Sequence, residues 1–189
     1  MITVLDNILP PMVAEGARAD FPDESWPWWH RYDTVNARKY GTVDRLRIPR
    51  GCAVALDQLA DFVSLELSWQ NAFIDREWYG GGLHLMPPGG FLKPHLDADR
   101  HPLRDWIRRG SVVWFADDCE VGGGLVVSSD DGLNQQIQPV RNQAIVIEHG
   151  PDAWHGVTEA VEPRRTLALF LWEQREDIDP NATTSAKFA

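Results

Sequence analysis

Between Gly82 and Glu173 the sequence is broken into short apolar runs by glycine, proline and aspartate, and this punctuation constrains the fold more than any other feature. The runs are Gly82–Met86, Phe91–Asp97, Ser111–Ala116, Leu125–Ser128, Asn134–Gln138, Ala144–Glu148, Trp154–Glu159 and Thr166–Glu173. Each has the length of a strand and is bounded by residues that turn a chain. Eight strands in about ninety residues predict a mainly β, α+β fold, a sandwich or jelly roll buttressed by helices from the N-terminal third. With 189 residues, 43% of them hydrophobic, one substantial core can be buried, and a single domain is the expectation. Within it, residues 1–79 read as N-terminal elements and helical support, 80–175 as the β core and 176–189 as a polar, frayed tail.

The supporting third opens with a strand at Ile2–Leu5 and a helix from about Pro11 to Ala19, which Phe21-Pro22 ends. Apolar residues recur with helical spacing from Cys52 to about Phe73, as one long helix or two. Between these lie two unusual stretches. Ser25–Asp33 carries Trp26, Trp28 and Trp29, expected to pack over one end of the sheet, with a substrate-facing rim as the alternative. Ala37–Arg50 carries Arg38, Lys39, Arg45, Arg47 and Arg50, expected as a solvated loop or, alternatively, a surface for an acidic partner.

Charge excludes one class of partner. Eighteen Lys and Arg against 28 Asp and Glu leave a net charge of −10, so no general positive field exists to hold a nucleic-acid backbone. No apolar run approaches the roughly 20 residues that cross a bilayer, and the first residues lack the basic start of a secretory signal, so a soluble cytoplasmic protein without a membrane partner is expected. Cys52 and Cys119 form no metal-ligand spacing and read as reduced structural thiols. Oligomeric state has no signature in the sequence.

Chemistry concentrates around His95-Leu96-Asp97, which follows a Pro87-Pro88-Gly89-Gly90 turn at the end of a hairpin that begins near Gly80. Alternation along a strand points His95 and Asp97 to the same face. His155, at the start of a later strand, can supply a third ligand. Two imidazoles and one carboxylate on one side of a metal leave its other side open, the arrangement of non-haem Fe(II) oxygenases. Downstream, Arg164 and Arg165 open the apolar strand that runs through Leu167–Phe170. A guanidinium inside a barrel needs an anionic partner, and a dicarboxylate fits its fork.

Together, His95-x-Asp97, the Gly122–Leu125 motif, His155 and Arg164-Arg165-Thr166-Leu167 resemble the Fe(II)/2-oxoglutarate-dependent dioxygenases, in particular the prolyl 4-hydroxylase-like branch. The resemblance covers about Gly80–Trp172. It implies a double-stranded β-helix (jelly roll) in which His95, Asp97 and His155 bind Fe(II). An arginine would hold the distal carboxylate of 2-oxoglutarate: Arg164 shares a strand face with Thr166, Ala168 and Phe170, and Arg165 is the fallback. The implied reaction consumes 2-oxoglutarate and O2, releases succinate and CO2, and hydroxylates a C–H bond of a peptidyl proline or a small amino-acid-like substrate. Because the carboxylate ligand Asp97 is present, hydroxylation is implied over halogenation.

In two places the sequence departs from the family pattern. Met86 occupies a position where many members carry a tyrosine, and His84, two residues earlier on that face, is a tentative substitute toward the co-substrate. Trp114 stands where another tyrosine is common and is the second tentative lining residue. His30, His101 and His149 read as structural or exposed, and Asp99 as a less suitable carboxylate than Asp97. From other classes, a cupin-like Zn2+ or Mn2+ enzyme or a non-catalytic jelly-roll binding protein would use some of the same residues.

Overall fold

Among the described residues strand pairing is antiparallel, and one continuous sheet curls around a cavity. The computed structural model describes residues 2–42, 44–69, 71–75, 77–79, 81–128, 134–179 and 181–189; Gly80, at the start of the hairpin, lies outside them. In chain order the elements are β1 (Ile2–Leu5), α1 (Pro11–Asp20), β2 (His30–Asp33), β3 (Ala37–Thr42), α2 (Arg50–Leu67) and β4 (Phe73–Ile74). The β core follows with β5 (Gly82–Met86), β6 (Phe91–Leu96), β7 (Trp106–Phe115), β8 (Leu125–Ser128), β9 (Asn134–Ile137), β10 (Ala144–Glu148), β11 (His155–Val157), β12 (Arg164–Gln174) and β13 (Lys187–Phe188). Their order across the sheet is β1-β10-β7-β12-β5-β3-β6-β11-β8-β9, with β2 beside β3, β4 beside β12 and β13 beside β6. This is the jelly-roll architecture expected from the punctuated strands.

Alternating residues of the central strands serve two separate cores. On the outer face Leu83, Leu85, Val112, Trp114, Leu167 and Leu169 pack beneath the helices with Cys52, Ala55, Leu56 and Leu59 of α2. On the inner face Met86, Phe115, Leu125, Val127, Ile145 and Val157 form a second cluster inside the roll. Each fully buried aliphatic side chain stabilises such a core by about 1.5–3 kcal/mol. The helices cross closely because Gly51 has no side chain: a Cβ there would lie 2.5 Å from the carbonyl oxygen of Gly16.

Several expectations need correction. The basic run is only partly a solvated loop: Arg45 and Arg47 lie in turns, but Ala37–Thr42 is strand β3, paired with β5 through Tyr40–Thr42 and with β6 through Ala37–Arg38. Strand alternation turns Arg38 to solvent and Lys39 to the cavity, a pattern the density of positive charge concealed. The second helix stops at Leu67 because Ser68 takes a left-handed conformation (φ 50°). Trp69 then folds back against Gly110, and Phe73–Ile74 pairs with β12. The tail is not frayed at its end, since Lys187 and Phe188 pair with Leu96 and His95, and Thr183 donates two hydrogen bonds to Asp99. Trp26 and Trp29 pack against the outer core, whereas Trp28 is exposed and holds the Arg47 guanidinium over its ring.

Candidate metal centre and cavity

The cavity of about 750 Å³ inside the roll is lined along β12 by Arg164, Thr166, Ala168 and Phe170, every second residue as a strand dictates. Ser111 and Val113 of β7, His84 and Met86 of β5, and Lys39 and Gly41 of β3 contribute in the same alternation. Trp114 therefore does not line it. It points to the opposite face, fully buried in the outer core, with its indole N–H donating to Asn142 Oδ1 at 3.1 Å. One residue of register moves a side chain across the sheet, which is why this reading failed where the β12 reading held.

At one end of the cavity His95, Asp97 and His155 bring one donor atom each to within 4.8 Å of one another. His95 and His155 are direct partners across the β6–β11 ladder, and their rings lie 4.4 Å apart between centroids. Gly156 permits this approach, since a Cβ at that position would come 2.8 Å from the carbonyl oxygen of Leu92 on β6. Nδ1 of His95 donates to Lys93 O at 3.1 Å and Nδ1 of His155 to Ala153 O at 3.0 Å. A carbonyl only accepts, so the proton sits on Nδ1 and the Nε2 lone pair of each ring is free to bind a metal. The two Nε2 atoms lie 3.6 and 3.7 Å from the two oxygens of Asp97.

Asp97 is held from behind. Ser111 Oγ donates to its Oδ2, and Arg108 Nη1 lies 3.5 Å from the same oxygen. Arg108 is fixed in turn by a 2.7 Å hydrogen bond from Nε to Ala98 O and by the Phe170 ring 3.6 Å from its Cζ. Burial alone would raise the pKa of the Asp97 carboxyl, but the Arg108 guanidinium leads the interactions that outweigh it and hold it well below the usual range. Burial lowers His155, which keeps its ring neutral and able to bind a metal. Arg108 and Ser111 carried no motif signal; only the fold brings β7 behind the end of β6.

At the other end Arg164 is buried, and its Nε and Nη2 have no hydrogen-bond partner among the described residues. Its guanidinium lies 5.1 Å over the Phe115 ring, and burial pulls its pKa down to about 10. Arg165 points out of the cavity and grips Asp117 with both Nε and Nη2. His84 does face the cavity, its ring against Gly41 and its pKa well below the ordinary value through burial and the neighbouring charges of Lys39 and Arg164. His101 is buried beside Asp75 and His149 bonds Asp99, both away from the three-donor cluster, while His30 lines the cavity rim.

A jelly roll that holds a His-Asp-His cluster and a buried arginine in one cavity has the parts that a metal-dependent oxygenase with a dicarboxylate co-substrate needs. Residues 81–172, just under half of the chain, match the family model of the 2OG-Fe(II) oxygenase superfamily. The matched stretch carries His95, Asp97, His155 and Arg164, the residues that would hold Fe(II) and 2-oxoglutarate in that superfamily. Among solved structures the chain is similar to a Pseudomonas putida prolyl-4-hydroxylase, with TM-score 0.67, 20% identity and 92% of each chain covered. A prolyl hydroxylase from Trichoplax adhaerens, in complex with a hypoxia inducible factor peptide fragment, aligns with TM-score 0.64 at 16% identity, over 91% of this chain and 83% of that one. A 2OG-Fe(II) oxygenase family oxidoreductase from Burkholderia pseudomallei aligns with TM-score 0.61 at 18% identity, over 96% and 88%. No curated protein matches the chain by sequence.

Proposed function

We propose that the protein hydroxylates a C–H bond of a peptidyl proline or a small amino-acid-like substrate, with His95, Asp97 and His155 holding Fe(II) and Arg164 holding the distal carboxylate of 2-oxoglutarate. The observation that carries this reading is the pairing, in one cavity, of the three-donor cluster with two unsatisfied guanidinium nitrogens at the opposite end. A buried guanidinium without a partner is costly, and a carboxylate is the group its fork fits. When bound, the iron and 2-oxoglutarate supply the oxidising chemistry: O2 is split between succinate, formed with CO2, and a new C–O bond in the substrate.

The chain's own residues position and shield that chemistry. The two Nδ1 hydrogen bonds aim Nε2 of each histidine at a common point, and Arg108 and Ser111 keep Asp97 ionised and oriented toward it. Met86, Val113, Leu125, Val157 and Ala168 give the cavity apolar walls that exclude water. Thr184–Ala186 and Phe188 of the tail cover part of its mouth, with Phe188 stacked on His95 at 5.4 Å. The proline preference is supported by the branch resemblance, and a volume of about 750 Å³ leaves room for a side chain beside the co-substrate.

Anaerobic addition of Fe(II) and 2-oxoglutarate to the apoprotein tests the assignment: a visible metal-to-ligand charge-transfer band is expected, and its absence from folded protein overturns it. Substrate is tested separately, by succinate release and a one-oxygen mass gain on proline-containing peptides and free amino acids. If neither class stimulates succinate formation above the substrate-free rate, the substrate assignment fails while the oxygenase assignment stands.

A further inference from the structure

We propose that Lys39 is a second cation for the distal carboxylate of 2-oxoglutarate, acting with Arg164 from the opposite side of Met86 to make the cavity selective for a dicarboxylate. The inference rests on the oxygenase reading above and concerns a residue outside the matched stretch 81–172. Register places it. Tyr40 pairs with Leu85, so Lys39 lies one step further along the ladder beside Met86, and Met86 pairs with Arg164 on β12. Lys39, Met86 and Arg164 thus form one rung across three strands, with side chains on the cavity face. Two strand spacings separate the cations, roughly 10 Å between Cα atoms, a span that two long side chains bridge by converging on one carboxylate above the methionine.

The surroundings of Lys39 call for an anion. Among the described residues no carboxylate lies within ion-pair distance of its ammonium, whose partner is the Tyr32 ring at 5.4 Å. Asp97 acts on it only at longer range, and Arg164 and His84 are its other charged or titratable cavity neighbours. A lysine that points to solvent needs no counter-charge, but this one is held inside the roll with a second unpartnered cation beside it. Two positive groups this close repel each other until an anion sits between them. Met86 cannot donate a hydrogen bond, so the ammonium beside it is the charged donor available to the carboxylate oxygen that faces away from Arg164. A dicarboxylate reaching from the three-donor cluster places its far carboxylate at this rung.

The test is equilibrium binding of 2-oxoglutarate and of 2-oxopentanoate, which has the same chain length without the distal carboxylate. Both are titrated anaerobically into Fe(II)-loaded wild type, Lys39→Met and Lys39→Arg, following the charge-transfer band. Wild type is expected to prefer 2-oxoglutarate, and Lys39→Met to weaken it by about ten- to a hundredfold, as loss of a charged hydrogen bond predicts, while leaving 2-oxopentanoate unchanged. Lys39→Arg is expected to recover most of the preference. Equal weakening of both ligands would mean a general packing defect and would overturn the proposal. So would unchanged 2-oxoglutarate binding, including the case in which Lys39→Met raises only the KM of the hydroxylated substrate. If wild type itself develops no band, the oxygenase reading fails instead, and the two failures are distinct.

Discussion

His95 and His155 face each other as direct partners across the β6–β11 ladder, and each binds the backbone carbonyl two residues before it through Nδ1. The matched pair fixes both tautomers and leaves two lone pairs converging beside Asp97. His95→Ala or His155→Ala is expected to abolish stoichiometric Fe(II) retention with the fold intact, because the strand ladder, not the imidazole, holds the backbone. Metal analysis after gel filtration, with circular dichroism as the folding control, measures this. Full iron occupancy in both variants would contradict the ligand assignment.

Asp97 depends on what stands behind it. Ser111→Ala removes one hydrogen bond to Oδ2 and is expected to weaken Fe(II) binding by about 10–100-fold, the range for groups that orient a ligand. Arg108→Met goes further, since it leaves a buried carboxylate without its counter-charge. A stability loss on the order of 3–5 kcal/mol in the apoprotein is expected, and urea denaturation would read it. An unchanged midpoint would show that Asp97 does not need the guanidinium.

The adjacent arginines should separate cleanly. Arg164→Met is expected to weaken 2-oxoglutarate binding by about ten- to a hundredfold. Arg165→Ala is expected to leave that affinity alone and to cost about 1 kcal/mol of stability, because its bidentate pair with Asp117 is only partly buried. Titration of 2-oxoglutarate into each variant decides between them, and a large effect in Arg165→Ala would reverse the choice.

Lys39 carries two pH dependences of opposite sign. Burial lowers its pKa from 10.5 to about 8, with Asp97 opposing and Arg164 reinforcing the shift. The unfolded chain keeps this proton up to about 10.5, so stability contributed at this site rises as pH goes from about 8 toward 10.5. At pH 7 the buried charge is a net cost, and Lys39→Met is expected to be more stable by on the order of 1–2 kcal/mol, a gap that closes as pH rises. Affinity for 2-oxoglutarate runs the other way, falling about tenfold between pH 7 and 9 in wild type and staying flat in Lys39→Met. The cavity groups facing Lys39 are Tyr32, His84, Asp97 and Arg164. Parallel profiles in the two proteins would remove Lys39 from the binding equilibrium.

Strand punctuation and strand parity made much of this molecule legible. Gly82–Met86, Leu125–Ser128 and Ala144–Glu148 form where the apolar runs predict them, and Arg164, Thr166, Ala168 and Phe170 share the cavity face that alternation assigns. Trp114 shows the limit of that reasoning. Its own strand is buried on both faces, so alternation of polarity is absent and the sequence carries no sign of which side is the cavity.

What the sequence determined by itself is local: where strands begin and turn, and that His95, Asp97, His155 and Arg164 have the chemistry of a metal and dicarboxylate site. Tertiary structure alone decided what those residues meet. Closing the roll brings Ser111 and Arg108 behind Asp97, sets Lys39 on the rung of Arg164, turns Arg165 away to Asp117, and folds Phe188 over His95. These neighbours come from strands far apart in the chain, and their spacing follows from sheet order and register, which no short motif encodes.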